Sequence, residues 1–239
     1  LFTSSTDMRP LEGSTVFGAG SPVAGITVDY LGNTRSVTQP SIGAYESALL
    51  NIWNGTGIWT NAANWSLGVP ASGGNGVIGS GTIEVTAGAT INNITVNSGA
   101  TVTVPNATSL TVNGALTNNG TFTVQNGGHL LQGASSTIGG SGTFNATRNS
   151  GNTSNLVYNM WSSPNSTSTL SNLGGTDWYF FNETSQAWSN TGLTGSSVMT
   201  AGRGYSSTGA GNVTFTGTFN NAAVTPAVGT TGQGWNLVG

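Results

Sequence analysis

The chain has 239 residues, a net charge of −3, 5% charged residues, no Cys and no Lys. That composition excludes disulfides, thiolate metal sites and the basic patch that nucleic acid or an anionic membrane requires. The 38 Gly and abundant Ser, Thr and Asn would suit a disordered chain, but low net charge together with seven Trp, eight Phe and five Tyr fits a repetitive sheet better.

No run of about 18 apolar residues is present, so no membrane insertion is expected. The start, Leu1-Phe2-Thr3, lacks the basic region and apolar core of a signal peptide. The final Gly234 to Gly239 stops inside what reads as a strand, and both ends read as cuts through a longer polypeptide.

Residues 1–48 contain compact phrases at Asp7 to Ser14, Val28 to Arg35 and Ile42 to Glu46. Asp29 to Asn33 is turn chemistry, with Gly32 free to take positive φ. A small cation or sugar site around Asp29 competes with a structural turn and an ion pair between Asp29 and Arg35. The structural reading is preferred, because a hard cation wants six or more oxygens and carboxylates are few here.

Residues 49–80 place Trp53, Trp59 and Trp65 within 13 positions, separated by Asn and Gly. Three such rings suit either a sugar-stacking platform or a plug for the open end of a solenoid. The capping cluster is preferred, since a solenoid end exposes apolar core and unpaired backbone that must be covered.

The repeat follows. Ile94-Thr95-Val96, Val102-Thr103-Val104, Leu110-Thr111-Val112 and Phe122-Thr123-Val124 alternate apolar and Thr, with Asn-Gly turns at 113–114, 119–120 and 126–127. Successive strands start six or eight residues apart, so three make a coil of about 22 residues, a rung of a three-sided β-solenoid. One coil cannot bury enough apolar surface to order its own backbone, so coils must stack. The outward Thr95, Thr103, Thr111 and Thr123 suggest a regular row able to meet ice or polysaccharide. Solvent-facing strand propensity explains them more simply. His129, the only His, reads as a solvated turn residue.

Residues 148–154 have linker composition, and 155–239 turn aromatic and irregular. Strands are predicted at 155–161, 177–182, 186–189, 203–207, 212–219 and 234–238, the pattern of a β-sandwich. Trp178, Tyr179, Trp188 and Tyr205 are candidate glycan contacts, their faces suiting the C–H side of a pyranose, against the simpler reading that most are sandwich core.

Three sets of phrases carry resemblances. Asp7, Arg9, Leu11, Gly13 and Ser14, then Asp29, Gly32 and Arg35, then Ile42 to Glu46 resemble the C-terminal end of right-handed parallel β-helix domains in large bacterial surface proteins; the family's Pro-Ala-Ile-Asp is Thr15-Val16-Phe17-Gly18 here. The Trp53 to Pro70 phrase looks like the opening of many Bacteroidetes surface-protein domains. Tyr158-Asn159, Ser162 to Pro164, Tyr179 to Asn182, Trp188, Gly202 to Tyr205, Phe215 to Gly217, Asn220 and Gly234 to Gly239 resemble the domain that follows the solenoid in the same proteins. The resemblance implies a secreted, cell-surface, adhesin-like protein exported by the type IX route.

Chemistry is sparse. The seven carboxylates are Asp7, Glu12, Asp29, Glu46, Glu84, Asp177 and Glu183, and none of their spacings suggests the close pair that glycoside hydrolysis needs. No nucleophile elbow, phosphate loop or His pair is present, so no catalysis, metal or cofactor is expected.

The expected architecture is all-β: a right-handed parallel β-helix or β-solenoid followed by a β-sandwich. The expected divisions are 1–48 (end of an upstream β-helix), 49–150 (Trp-rich cap and solenoid) and 151–239 (sandwich). The expected role is extracellular and structural or adhesive, with glycans, other surface proteins or copies of itself as partners. A self-assembling filament subunit and a carbohydrate-binding region of a polysaccharide-degrading enzyme are the alternatives.

Overall fold

A computed structural model describes residues 15–16, 18–32, 34–46, 50–152, 154, 156–209 and 211–239. The Asp7 to Ser14 phrase lies outside the described residues. The chain divides into two compact units, 1–50 and 51–239.

In the first unit, the Asp29 turn forms as expected. The Gly32 N–H donates to the Asp29 carbonyl at 3.0 Å, with Gly32 at φ 82°. Both Asp29 carboxylate oxygens accept backbone donors, Leu31 N at 2.8 Å and Glu46 N at 2.8 Å, so the side chain holds the turn. Arg35 Nε lies 3.4 Å from Glu46 Oε2, and its Nη2 donates to the Ser41 and Gly43 carbonyls. The Ile42 to Glu46 phrase thus brings Glu46 to Arg35 as an ion-pair partner.

The second unit is all-β. A parallel β-solenoid of about four turns is followed by antiparallel sheets. In chain order the strands are β1 (Ile52–Ile58), β2 (Gly76–Glu84), β3 (Ala89–Ile91), β4 (Ile94–Val96), β5 (Thr101–Val104), β6 (Ser109–Val112), β7 (Ala115–Asn118) and β8 (Thr121–Val124). There follow β9 (His129–Gln132), β10 (Thr137–Gly139), β11 (Thr143–Asn149), β12 (Asn159–Trp161), β13 (Trp178–Asn182), β14 (Ala187–Ser189), β15 (Tyr205–Ser207) and β16 (Asn212–Thr216).

Three faces result. The first stacks the N-terminal half of β2 with β4, β7 and β10; the second stacks its C-terminal half with β5, β8 and β11; the third is β3, β6 and β9. β2 turns the corner between two faces at Gly79 to Gly81, with β1 following it in parallel. Gly81 has φ 77°, and a Cβ there would fall 1.9 Å from the Gly55 carbonyl oxygen, so two backbones meet where no side chain fits.

Alternation sends Ile83, Val102, Phe122 and Phe144 inward as one file, and Ile94 and Leu116 as another, all fully buried. Ile94 pairs with Leu116 and Leu116 with Ile138, the 22-residue step expected from the repeat. The four Thr expected as one row are distributed over three faces: Thr95 on the first, Thr103 and Thr123 on the second, Thr111 on the third. His129 opens β9, opposite Ser109, and is exposed rather than sitting in a turn.

Trp53, Trp59 and Trp65 lie together inside the first coil, at most 4% exposed, with edge-to-face ring distances of 5.5 and 5.2 Å. The indole N–H groups donate to Gly55 and Trp59 carbonyls at 3.0 and 2.9 Å. The far end is sealed by a residue from much later in the chain. The Phe219 ring packs 5.4 Å from Phe144, against the same core that Leu130 and Ile138 also pack on. Asn221 anchors this plug by donating to the Ser136 carbonyl at 2.7 Å.

β11 continues through Arg148 and Asn149, into the stretch that reads as a linker, because β16 pairs antiparallel along it. Asn149 Nδ2 donates to Asn212 Oδ1 at 2.7 Å across that pair. The remaining sheet runs β12-β15-β13-β14, antiparallel, and shares a core with β16 built on Leu170, Leu173, Met199, Tyr205, Val213 and Phe215. The strand expected at 234–238 is a single bridge, Arg203 to Val238.

Residues 229–236 instead bend around Glu183. Its carboxylate is nearly buried and accepts from Gly234 N at 2.9 Å, Gly232 N at 2.6 Å, Thr231 N at 3.1 Å and Thr231 Oγ1 at 3.0 Å. The Gly234 N–H, followed by those of Gly232 and Thr231, outweighs burial and holds the Glu183 carboxyl below its ordinary range. A depressed folded-state value means this stabilisation is complete above the ordinary glutamate range and is lost as pH falls through the folded value. The urea midpoint should therefore drop on acidification below that range, and Glu183→Gln should flatten part of the drop while lowering the midpoint at neutral pH.

Candidate functional site: an aromatic shelf

The antiparallel sheet β12-β15-β13-β14 has two faces of different character. Period-two alternation along β13 turns Trp178 and Phe180 towards the shared core and Tyr179 and Phe181 away from it. Along β12, Trp161 faces the core and Met160 faces out; along β15, Tyr205 faces the core and Ser206 faces out beneath its neighbours. β14 adds Trp188 on the outer side, opposite Phe181.

The outer face thus gathers Tyr158, Met160, Tyr179 and Trp188 around a cleft of about 260 Å³ floored by Ser206. Tyr158 and Tyr179 meet edge-to-face at 5.8 Å, and Phe181 supports Trp188 at 5.7 Å in the same way. Tyr158, Met160 and Trp188 are each about half exposed, at 48, 54 and 45%. These large apolar groups are clustered rather than scattered singly over the surface.

The cleft lining carries no charge. Burial first, then Tyr179 and the charge of Asp177, push the Tyr158 phenol above its ordinary value. It stays protonated and able to donate a hydrogen bond. The cleft therefore offers ring faces, a thioether and phenol hydroxyls, which suit the C–H face and rim hydroxyls of a neutral sugar.

Of the four expected glycan contacts, the sheet brings Tyr179 and Trp188 to the cleft and turns Trp178 and Tyr205 to the core. Tyr205 is 2% exposed and its hydroxyl accepts from Thr200 N at 3.0 Å. Trp178 Nε1 donates to the Gly174 carbonyl at 3.3 Å. Arg203 lies against the core side, its guanidinium 4.0 Å from the Phe180 ring centroid. Tyr158 and Met160 complete the cleft and were missed. Their signal was alternation with Trp161, readable once that strand's face was known.

Among the described residues no group of three or more His, Asp or Glu side chains gathers in one place, and no helix is long and apolar enough to cross a membrane. A β-solenoid sealed by its own aromatics, continued by antiparallel sheets with an exposed aromatic face, defines the class of protein. Residues 52–239 match the family described as a domain of unknown function, DUF8693, and the chain belongs to that family. No curated protein and no solved structure matches the chain.

Proposed function

We propose that this chain is a non-enzymatic structural and adhesive segment of a large secreted cell-surface protein, a stiff stalk that displays binding surfaces. The observation that carries the reading is the sealed core: Trp53, Trp59 and Trp65 fill the first coil, Phe219 covers the last, and β16 extends the solenoid sheet. Such a body covers its own apolar ends and keeps its shape without disulfides. The resemblance to Bacteroidetes surface proteins supports an extracellular location and type IX export. Electron microscopy of the isolated chain tests it. Uniform short rods support a stalk; filaments with an axial repeat favour the self-assembling alternative; floppy, variable particles overturn both.

The aromatic shelf favours a second reading, carbohydrate binding, in which the stalk presents a neutral glycan site. Titration with soluble neutral glycans should then quench Trp fluorescence. Trp188→Ala should weaken binding by about tenfold, about 1.4 kcal/mol, with stability unchanged within about 0.5 kcal/mol because the ring is half exposed. Trp178→Ala, whose ring packs on the core side, should instead lower stability. Absence of quenching by any glycan of the set would remove this reading.

A further inference from the structure

The second face of the solenoid carries a pattern that the shelf does not use. Register aligns Thr56 with Thr82, Thr82 with Thr101, Thr101 with Thr121 and Thr121 with Thr143. Five successive strands thus place Thr at one outward position. Their direction is fixed by Ile83, Val102, Phe122 and Phe144, next along β2, β5, β8 and β11, which are fully buried. Two residues on, Thr103 aligns with Thr123, so β5 and β8 each present a Thr-x-Thr pair on the same surface.

Strand propensity does not account for this ladder, because it acts equally on all three faces. On the first face the corresponding outward file reads Ile52, Val77, Thr95, Thr117, Gly139, and on the third Thr90, Thr111, Leu131. Only the second face keeps Thr at every step. At the ten outward positions of its two files, Glu84 is the one charge and no aromatic ring occurs.

We propose that this face binds ice, with the Thr ladder as the contact surface. Neighbouring rungs of a parallel sheet stand about 4.8 Å apart, and residues i and i+2 about 6.7 Å apart. Tetrahedral water with oxygens about 2.75 Å apart puts second neighbours about 4.5 Å apart and repeats its stacked layers about every 7.3 Å. The two lattices agree to within about a tenth in both directions. Each Thr supplies one hydroxyl donor and two acceptor lone pairs. Its β-branched side chain has few χ1 choices, so the hydroxyls are held in register before contact. A surface with so little charge does not impose competing ion hydration, and a face without rings offers nothing for a pyranose to stack on.

The test uses the whole 239-residue chain, measuring thermal hysteresis and partition into a slowly growing ice hemisphere. The native chain should enter the ice and facet growing crystals. Thr101→Lys with Thr121→Lys should abolish both, while Thr95→Lys with Thr117→Lys on the first face should leave them intact. Should the ladder pair fail to fold by far-UV circular dichroism, Thr121→Val keeps the shape and removes one hydroxyl, and partial loss of activity is expected. The proposal is overturned by a native chain excluded from ice, by equal loss in both Lys pairs, or by retention on an insoluble neutral polysaccharide that the ladder substitutions release. That last outcome would reassign the periodic partner to a glycan.

Discussion

Replacing Trp53 with alanine should destabilise the chain by about 3–5 kcal/mol, the range for emptying a buried Trp site. Trp53 is 0% exposed and stands opposite Ile78 at the inward position of β1. Its edge-to-face contact with Trp65, which in turn meets Trp59, makes the three rings one packed body. Removal leaves a void that neighbouring strands cannot fill, since β1 is tied along its length to β2, and it removes the hydrogen bond that the indole N–H gives the Gly55 carbonyl. Domains commonly have only about 5–15 kcal/mol of net stability, so the loss should move the urea midpoint by a large fraction. Trp53→Phe, which retains most of the volume and loses the hydrogen bond, should fall between. Equal midpoints for native chain and Trp53→Ala would show that the cluster does not seal the first coil.

Asn118→Leu is the second large effect, expected at about 1–3 kcal/mol, because the part-buried Gly120 N–H and Thr143 carbonyl each lose a hydrogen bond worth about 0.5–1.5 kcal/mol. Asn118 sits at an inward position in register with Val96, in a file otherwise apolar, and is fully buried. Its Oδ1 accepts from Gly120 N at 3.1 Å and its Nδ2 donates to the Thr143 carbonyl at 3.0 Å, linking a corner of one coil to the strand stacked on it. Leucine fits the volume and satisfies neither group. If the midpoint instead rose, apolar fill would outweigh those hydrogen bonds and the corner would not depend on the amide.

The solenoid was legible because its signal is local. Alternating triplets broken by Asn-Gly corners fix strand, face and approximate coil length within a few residues of each other. Faces were less legible, because coil length varies: the step from Gly76 to its partner Ile94 is shorter than that from Ile94 to Leu116. Thr95, Thr103 and Thr111 sit on consecutive strands of one three-strand coil and so on three different faces, whereas the ladder through Thr56, Thr82, Thr101, Thr121 and Thr143 joins positions a whole, unequal coil apart and shows only once the register is known.

The aromatic half was harder for a related reason. Which of Trp178 and Tyr179 faces out depends on antiparallel register between strands separated by long irregular segments, and those segments set the register through distant contacts. The Asp29 turn was readable from its own residues. The choice of Glu46 as a partner for Arg35 depended on where a separate phrase docks. Nothing local to Glu183 signals its role, because its donors are the N–H groups of Gly232 and Gly234, about fifty residues on.

The plug at Phe219 also imposes an order of events on a chain delivered amino-terminus first. Coils from β1 to β10 can stack as they emerge, but the Phe144 ring and the outer edge of β11 stay uncovered until residues 212–219 follow. Completion thus waits on the late segment, and every intermediate before it exposes an apolar end and an unpaired strand. A fragment ending before Asn212 should therefore aggregate through its open end more readily than the longer chain, as light scattering at matched concentrations would show.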